Sequence, residues 1–259
     1  MPTSQSSEPG DTRITISNIC SVQGFKMMRF ILDRMLGRMR SWLRLFGYDT
    51  IYAEEGEEDG TLFLRAKHEG RILLSRDKAL VERCRQRGVR AIQIRSLDIV
   101  GQLTEVMIHL GVDPSPKMIR CTLCNDQIKR LNKDELEALR EEGYDYIPVS
   151  PPDDREFWQC TGCGQVFWEG GHWENIRKTE ELLRRRYMTA ERLRHKLEHW
   201  IEHSEGHLES YRKAMEEAGD LGLRDVQDDL KQAVQAMEDA TGWLMSALKR
   251  LKMEDSRGG

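Results

Sequence analysis

The sequence predicts an α/β fold: a small parallel sheet with helices on both faces, followed by a four-cysteine zinc ribbon and a C-terminal helical hairpin. Three observations predict it. Short apolar runs alternate four times with helically spaced segments between Arg29 and Leu110, as strand–helix units of a parallel sheet require. Two CxxC pairs, Cys121–Cys124 and Cys160–Cys163, come next. After Arg177 the composition shifts to long amphipathic helices. The organisation expected is a disordered segment over 1–27, the sheet domain over 28–114, the ribbon over 115–176 and the helical tail over 177–259.

Each element has a local reason. Residues 1–27 are rich in Ser, Thr, Gly and Pro and lack periodicity, so they are expected to be disordered; Met27-Met28 stands before the first strand as a candidate start. Arg29-Phe-Ile-Leu32 is the first strand, and Asp33 ends it. Met35 to Phe46 carries apolar residues at helical spacing, and Gly47 closes that helix. Thr50 to Ala53 is the second strand. Asp59 is the expected N-cap of a helix from Gly60 to Glu69. Arg71 to Ser75 forms the third strand and runs into Arg76-Asp77, after which Ala79 to Arg87 is helical. Val89 to Ile94 is the fourth strand, Asp98 follows it, and a helix runs from Val100 to Leu110. Asn132 to Asp154 reads as a short helix plus a Pro-rich loop.

Composition excludes several classes. The chain has 259 residues, is 39% hydrophobic and 32% charged, and carries a net charge of −4. It lacks the apolar run of about 18 residues that would argue for a membrane span, and it lacks GxGxxG and Walker loops, which excludes the usual nucleotide cradles. With no secretory signal, four paired cysteines point to metal rather than to disulfides, and a cytoplasmic location is the default.

The x2 spacing lets one tight turn aim two thiolates at one ion. Two such turns complete a tetrahedral zinc site of four thiolates, so Cys121, Cys124, Cys160 and Cys163 are the expected structural Zn2+ ligands. In open parallel sheets ligands bind beyond the carboxyl ends of the strands. Asp33, Asp59, Asp77 and Asp98 follow the four strands in turn. Carboxylates suit Mg2+ or Mn2+, and two such ions can activate water against a phosphodiester. Aspartate after a strand is also a common helix cap, so the capping alternative stays open for each. Asp49 precedes its strand and is expected to be a turn residue at the other edge. Arg29, Arg34, Arg38, Arg40 and Arg44 form a basic stripe around Asp33, suited to phosphate contacts.

Arg29-Phe-Ile-Leu-Asp33-Arg-Met-Leu-Gly-Arg-Met-Arg-Ser-Trp-Leu-Arg-Leu-Phe-Gly-Tyr-Asp49, together with Gly70 to Asp77, resembles the opening of the Mut-seven C-terminal ribonuclease domain family. The CxxC pairs and Trp168-Glu-Gly-Gly-His172-Trp173-Glu174 resemble its closing ribbon. The resemblance covers residues 28–176 and implies a PIN-like nuclease fused to a zinc ribbon, with Asp33 and Asp77 as metal-binding acids and Asp59 and Asp98 less securely placed. It implies a ribonuclease acting on RNA with Mg2+ or Mn2+. Arg34, Arg38 and Arg76 are the expected phosphate contacts, and Trp168, His172 and Trp173 the expected RNA contacts of the ribbon. The alternative is a non-catalytic RNA-binding or scaffold protein.

Two stripes mark the tail. Leu193, Leu197, Trp200, Ile201, Leu208 and Tyr211 form one; Val226, Leu230, Val234, Met237, Trp243, Leu244, Leu248 and Leu251 form the other. They predict an antiparallel hairpin that pairs with a second copy or a protein partner. His195, His199, His203 and His207 recur every four residues and form a polar face.

Overall fold

The computed structural model describes residues 28–148 and 155–252. The expected disorder of 1–27 and the Pro-rich end of the 132–154 insert lie outside the described residues. Four parallel strands, β1 (Arg29–Leu32), β2 (Asp49–Tyr52), β3 (Ile72–Ser75) and β4 (Ala91–Gln93), form a sheet in the order β2-β1-β3-β4. Helices α1 (Gly37–Leu45), α2 (Asp59–Glu69), α3 (Lys78–Gln86) and α4 (Ile99–Leu110) follow the strands in turn, with a 3-10 turn at Arg34–Leu36 before α1.

Strand alternation sorts the core into two layers, because successive side chains point to opposite faces. Phe30, Leu32, Ile72, Leu74 and Ile92 pack with α1 and α4, through Met39, Leu43, Leu103, Val106 and Met107. Ile31, Leu73 and Ala91 pack with α2 and α3, through Leu62, Ala66, Leu80, Val81 and Cys84. Both faces of the sheet are therefore buried, as near-continuous apolar runs in parallel strands require.

A second, antiparallel sheet of β5 (Ile128–Arg130), β6 (Phe157–Cys160) and β7 (Val166–Trp168) carries the cysteine turns, with α5 (Lys133–Glu141) inserted between β5 and β6. Asn132 and Glu135 cap α5 reciprocally.

The tail is two helices, α6 (Trp173–Asp220) and α7 (Arg224–Lys252). Helix α6 begins before residue 177, so the expected border between ribbon and tail falls inside one helix. It also runs through Gly219; the reversal is made at Gly222, whose φ of +71° suits glycine. Leu183 is fully buried in the core that α1 and α4 share with the sheet, so the base of the tail is part of the sheet domain's core.

Beyond that base, α6 and α7 pair through one residue in every three or four. The seam is Arg194, Leu197, Ile201, Ser204, Leu208, Tyr211, Met215 and Ala218 on α6. On α7 it is Gln227, Leu230, Val234, Met237, Thr241, Leu244, Leu248 and Leu251; all sixteen are wholly or partly buried. Four expected stripe members are excluded from it: Leu193, Trp200, Val226 and Trp243 are exposed, because each stands one or two positions off the seam. The Arg212–Glu238 ion pair (2.6 Å) fixes the helices as antiparallel neighbours.

Candidate active site and zinc knuckles

Asp33 lies at the carboxyl end of β1, 8% exposed. Its Oδ1 accepts from the Met35 amide at 2.8 Å, and its Oδ2 from the Ser75 hydroxyl and the Arg76 amide. The adjacent strand β3 ends at Ser75, whose Oγ in turn accepts from the Asp77 amide at 2.9 Å. Asp33 and Asp77 are thereby linked through a single hydroxyl. Asp77 is exposed, and its Oδ1 accepts from Ala79 and Leu80, capping α3.

Asp98 reaches the same edge after β4 and caps α4 through the Gly101 amide (2.9 Å). That amide, with help from Arg186, holds its carboxyl below the usual range. Arg186 belongs to α6. The tail therefore adds a cation to this edge, which no local pattern near Asp98 could reveal.

Asp59 stands apart. Glu58 occupies the cap position of α2, without a side-chain bond, and Asp59 is the first helical residue. It pairs with Arg83 of α3 at 2.5 Å. In the same loop, Glu57 is held by Arg65 at 2.8 Å, so the acidic run after β2 is partly consumed in fixing its own loop.

The basic stripe divides. Arg34 and Arg38 are exposed and Arg76 half-buried beside Asp33. Arg44, expected on the stripe, is buried and turned to the opposite side. Its Nε donates to the Thr50 carbonyl at 2.9 Å and its Nη1 to the carbonyls of Thr122 and Leu123. Those two carbonyls lie inside the first CxxC turn. Asn125, at φ +79°, closes the same turn. Its Oδ1 accepts from the Thr50 amide and its Nδ2 donates to Asp49. The knuckle therefore caps the exposed edge of β2, where unpaired backbone groups would otherwise invite another strand.

Asp49 is the first residue of β2 and not a turn residue. It accepts from Arg29, Arg71 and Asn125. Burial pushes its carboxyl up, but the Arg71 and Asn125 bonds prevail and hold it at about 2. A buried arginine two strands away is what recruits it, and that partner is invisible in local sequence. Arg29, for the same reason, serves this edge and not the Asp33 edge.

The four cysteines converge. Their Sγ atoms all lie within 4.8 Å of one another, and this is the only such group of three or more potential metal ligands among the described residues. Cys121 and Cys163 stand 3.7 Å apart, Cys124 and Cys160 3.3 Å. Zinc–thiolate bonds of about 2.3 Å at tetrahedral angles need sulfur separations of about 3.8 Å, so the set fits zinc. The Cys160 sulfur accepts from the Gly162 and Cys163 amides, each at 3.4 Å. A side chain at Gly162 would collide with the Asp126 carboxylate. Burial pushes Cys160 up, but those amides and the Cys124 thiol pull it down to about 7; burial and the neighbouring thiols push Cys124 up to about 12. Four thiolates cannot coexist here without a cation.

Trp168 is half-buried in the ribbon core, 6.1 Å from Tyr146 in a stacked arrangement and against Phe157. The Trp173 indole donates to the Trp168 carbonyl at 3.0 Å, and His172 is exposed at the start of α6. Tyr146 is the more exposed member of the stack.

The Mut7-C RNAse domain matches residues 28–180, more than half of the chain. The chain belongs to the Mut7-C RNAse domain family. Membership gives it an RNA-directed nuclease role at the level of the family, with RNA as the substrate class. A second family, described as a domain of unknown function, matches residues 193–251, which is the α6–α7 hairpin beyond the Mut7-C match. No curated protein and no solved structure matches the chain. Among the described residues no helix is long and apolar enough to cross a membrane.

Proposed function

We propose that this Mut7-C protein is a divalent-metal-dependent ribonuclease with its centre at Asp33 and Asp77. The observation that carries the reading is the Asp33–Ser75–Asp77 unit at the carboxyl ends of the two central strands. The donor set fits Mg2+ or Mn2+: carboxylate oxygens suit hard cations. Asp33 accepts three hydrogen bonds and Asp77 two, which leaves acceptor capacity on each carboxylate. When bound, such ions supply an activated water and a counter-charge for the leaving oxygen.

The chain's own residues do the rest. Ser75 and the Arg76 amide orient Asp33. Asp98 is a further acid of the same edge, and Asp59 serves it only if Arg83 releases it. Arg34, Arg38 and Arg76 hold the phosphates on either side of the scissile bond. The water oxygen attacks phosphorus, the bond to the 3′ oxygen breaks, and a proton passes to that oxygen, giving a 3′-hydroxyl and a 5′-phosphate. Trp168, His172 and Trp173 of the zinc ribbon position the RNA. Four reduced thiols agree with a cytoplasmic location.

One observation favours the scaffold alternative: Asp77 and Asp98 both cap helices. The two readings separate on an end-labelled structured RNA incubated with purified protein in Mn2+, Mg2+ or EDTA, beside the Asp33→Asn/Asp77→Asn double variant. Cutting that needs both the metal and the aspartates supports the nuclease. Binding without cutting by folded, zinc-loaded protein sinks it.

A further inference from the structure

A hairpin that needed only its own two helices would be apolar at the seam and charged on both flanks. One flank here is charged apart from Met245. Glu191, Glu198 and Arg212 on α6 lie on the side of Lys231 and Glu238 on α7, as the Arg212–Glu238 pair shows. At the base this flank faces the nuclease domain, where Arg184 bonds Asp113 and Ser115.

The opposite flank breaks the rule. Leu193, Trp200, His207 and Ala214 on α6 stand beside the seam at heptad spacing, as do Val226, Ala233, Ala240 and Ala247 on α7; His207, against His203 and Tyr211, is the one polar member. Trp243 adds a ring that is 73% exposed, and Trp200 is 48% exposed. Three apolar positions per heptad make the broad stripe of a multi-helix bundle and not the narrow seam of a pair.

We propose that this face binds the same face of a second copy, forming an antiparallel four-helix bundle across a two-fold axis. Three features favour a second copy as the occupant. The face holds both knobs and holes: the tryptophans need shallow sites, and the alanines provide them, as an isologous contact demands. Its rim is charged in opposite senses at its two ends. Lys196 and Arg250 are exposed at the base, Glu217 and Asp229 at the tip. A two-fold axis across the face lays the base of one copy on the tip of the other, so basic meets acidic twice. The area is adequate. At about 1.5 Å per residue and about 10 Å per helix, the face spans about 30 by 20 Å, so about 1,200 Å2 is buried in all, the lower end of stable interfaces.

Sedimentation equilibrium of the full chain between about 1 and 100 μM tests this. The parent is expected at twice the monomer mass at the upper concentrations. Ala240→Glu and Trp243→Glu, each introducing a buried charge, are expected to raise the dimer dissociation constant at least about 30-fold, with helical circular dichroism unchanged because neither residue lies in the seam. Lys196→Glu/Arg250→Glu weakens pairing, and adding Glu217→Lys/Asp229→Lys to the same chain restores it. A parent that stays monomeric at 100 μM overturns the proposal and assigns the face to a different protein. So does a dimer indifferent to Ala240→Glu, or a charge swap without rescue.

Discussion

Arg44→Met tests whether the first zinc knuckle is clamped to the nuclease sheet by one guanidinium. Methionine keeps the apolar stem and removes the head group. The Arg44 side chain is 5% exposed, and burial, followed by the charge of Arg40, lowers its pKa from 12.5 to about 10. That shift corresponds to about 3 kcal/mol against the cation. Three hydrogen bonds from the charged group, to Thr50, Thr122 and Leu123, contribute about 1.5–3 kcal/mol each. The net is favourable by about 1 to 6 kcal/mol, and the variant also leaves those carbonyls short of a donor. The expected loss is about 2–4 kcal/mol, or roughly 5–15 °C in melting temperature for a domain of this size. The assays are urea unfolding of zinc-loaded protein and the rate of zinc release to a chromogenic chelator. Release should quicken together with the loss of stability, because two of the three carbonyls belong to the CxxC turn. Arg38→Met, at an exposed site, should change stability by no more than about 0.5 kcal/mol. If Arg44→Met unfolds and releases zinc as the parent does, the clamp is not holding the knuckle.

Three further outcomes follow from the geometry. Ser75→Ala removes the donor to Asp33 and the acceptor for the Asp77 amide, so RNA cleavage should fall about 10–100-fold, with Thr restoring it; unchanged cleavage would detach the serine from the site. Leu183→Ala should cost about 2–5 kcal/mol, because the tail residue is fully buried against α4; by the same logic, deleting residues 177–259 should destabilise the nuclease domain and not activate it, which a melt beside an activity assay reads directly. Asp49→Asn bears on pH: the folded carboxyl sits at about 2 against an ordinary 3.8, so its stabilisation is present above about pH 4 and lost as pH falls through 2. That difference corresponds to about 2 kcal/mol at neutral pH. The gap between parent and variant in urea titrations should therefore narrow from pH 4 to pH 2, zinc loss in acid being common to both chains; a constant gap would mean that Asp49 acts without its charge.

Much of this architecture is legible from local pattern. The four strand–helix units, the two CxxC turns and the two tail helices each rest on spacing within a few residues. So do the helix caps at Asp77 and Asp98, which compete with the acids' proposed chemistry for the same side chains. What spacing misses is partnership at long range. Arg44 reads as one more cation of the stripe around Asp33, yet it serves the first CxxC turn 78 residues away. Asp49 reads as a turn residue, yet it anchors Arg71. Trp243 reads as seam, yet it is exposed, because a helix of 3.6 residues per turn separates it from Thr241 and Leu244.

The sequence by itself determined the order of the elements, the two faces of the sheet and the two cysteine pairs that converge, because hydrophobic period and the CxxC spacing are local properties of the chain. Only the tertiary structure decided that Ser75 joins Asp33 to Asp77 and that the knuckle caps the edge of β2. It also decided that the tail shares the nuclease core through Leu183 and brings Arg186 to Asp98. Each of these joins residues far apart in the chain, and such contacts form only when burial of both sheet faces and of the α6 base fixes the elements against one another.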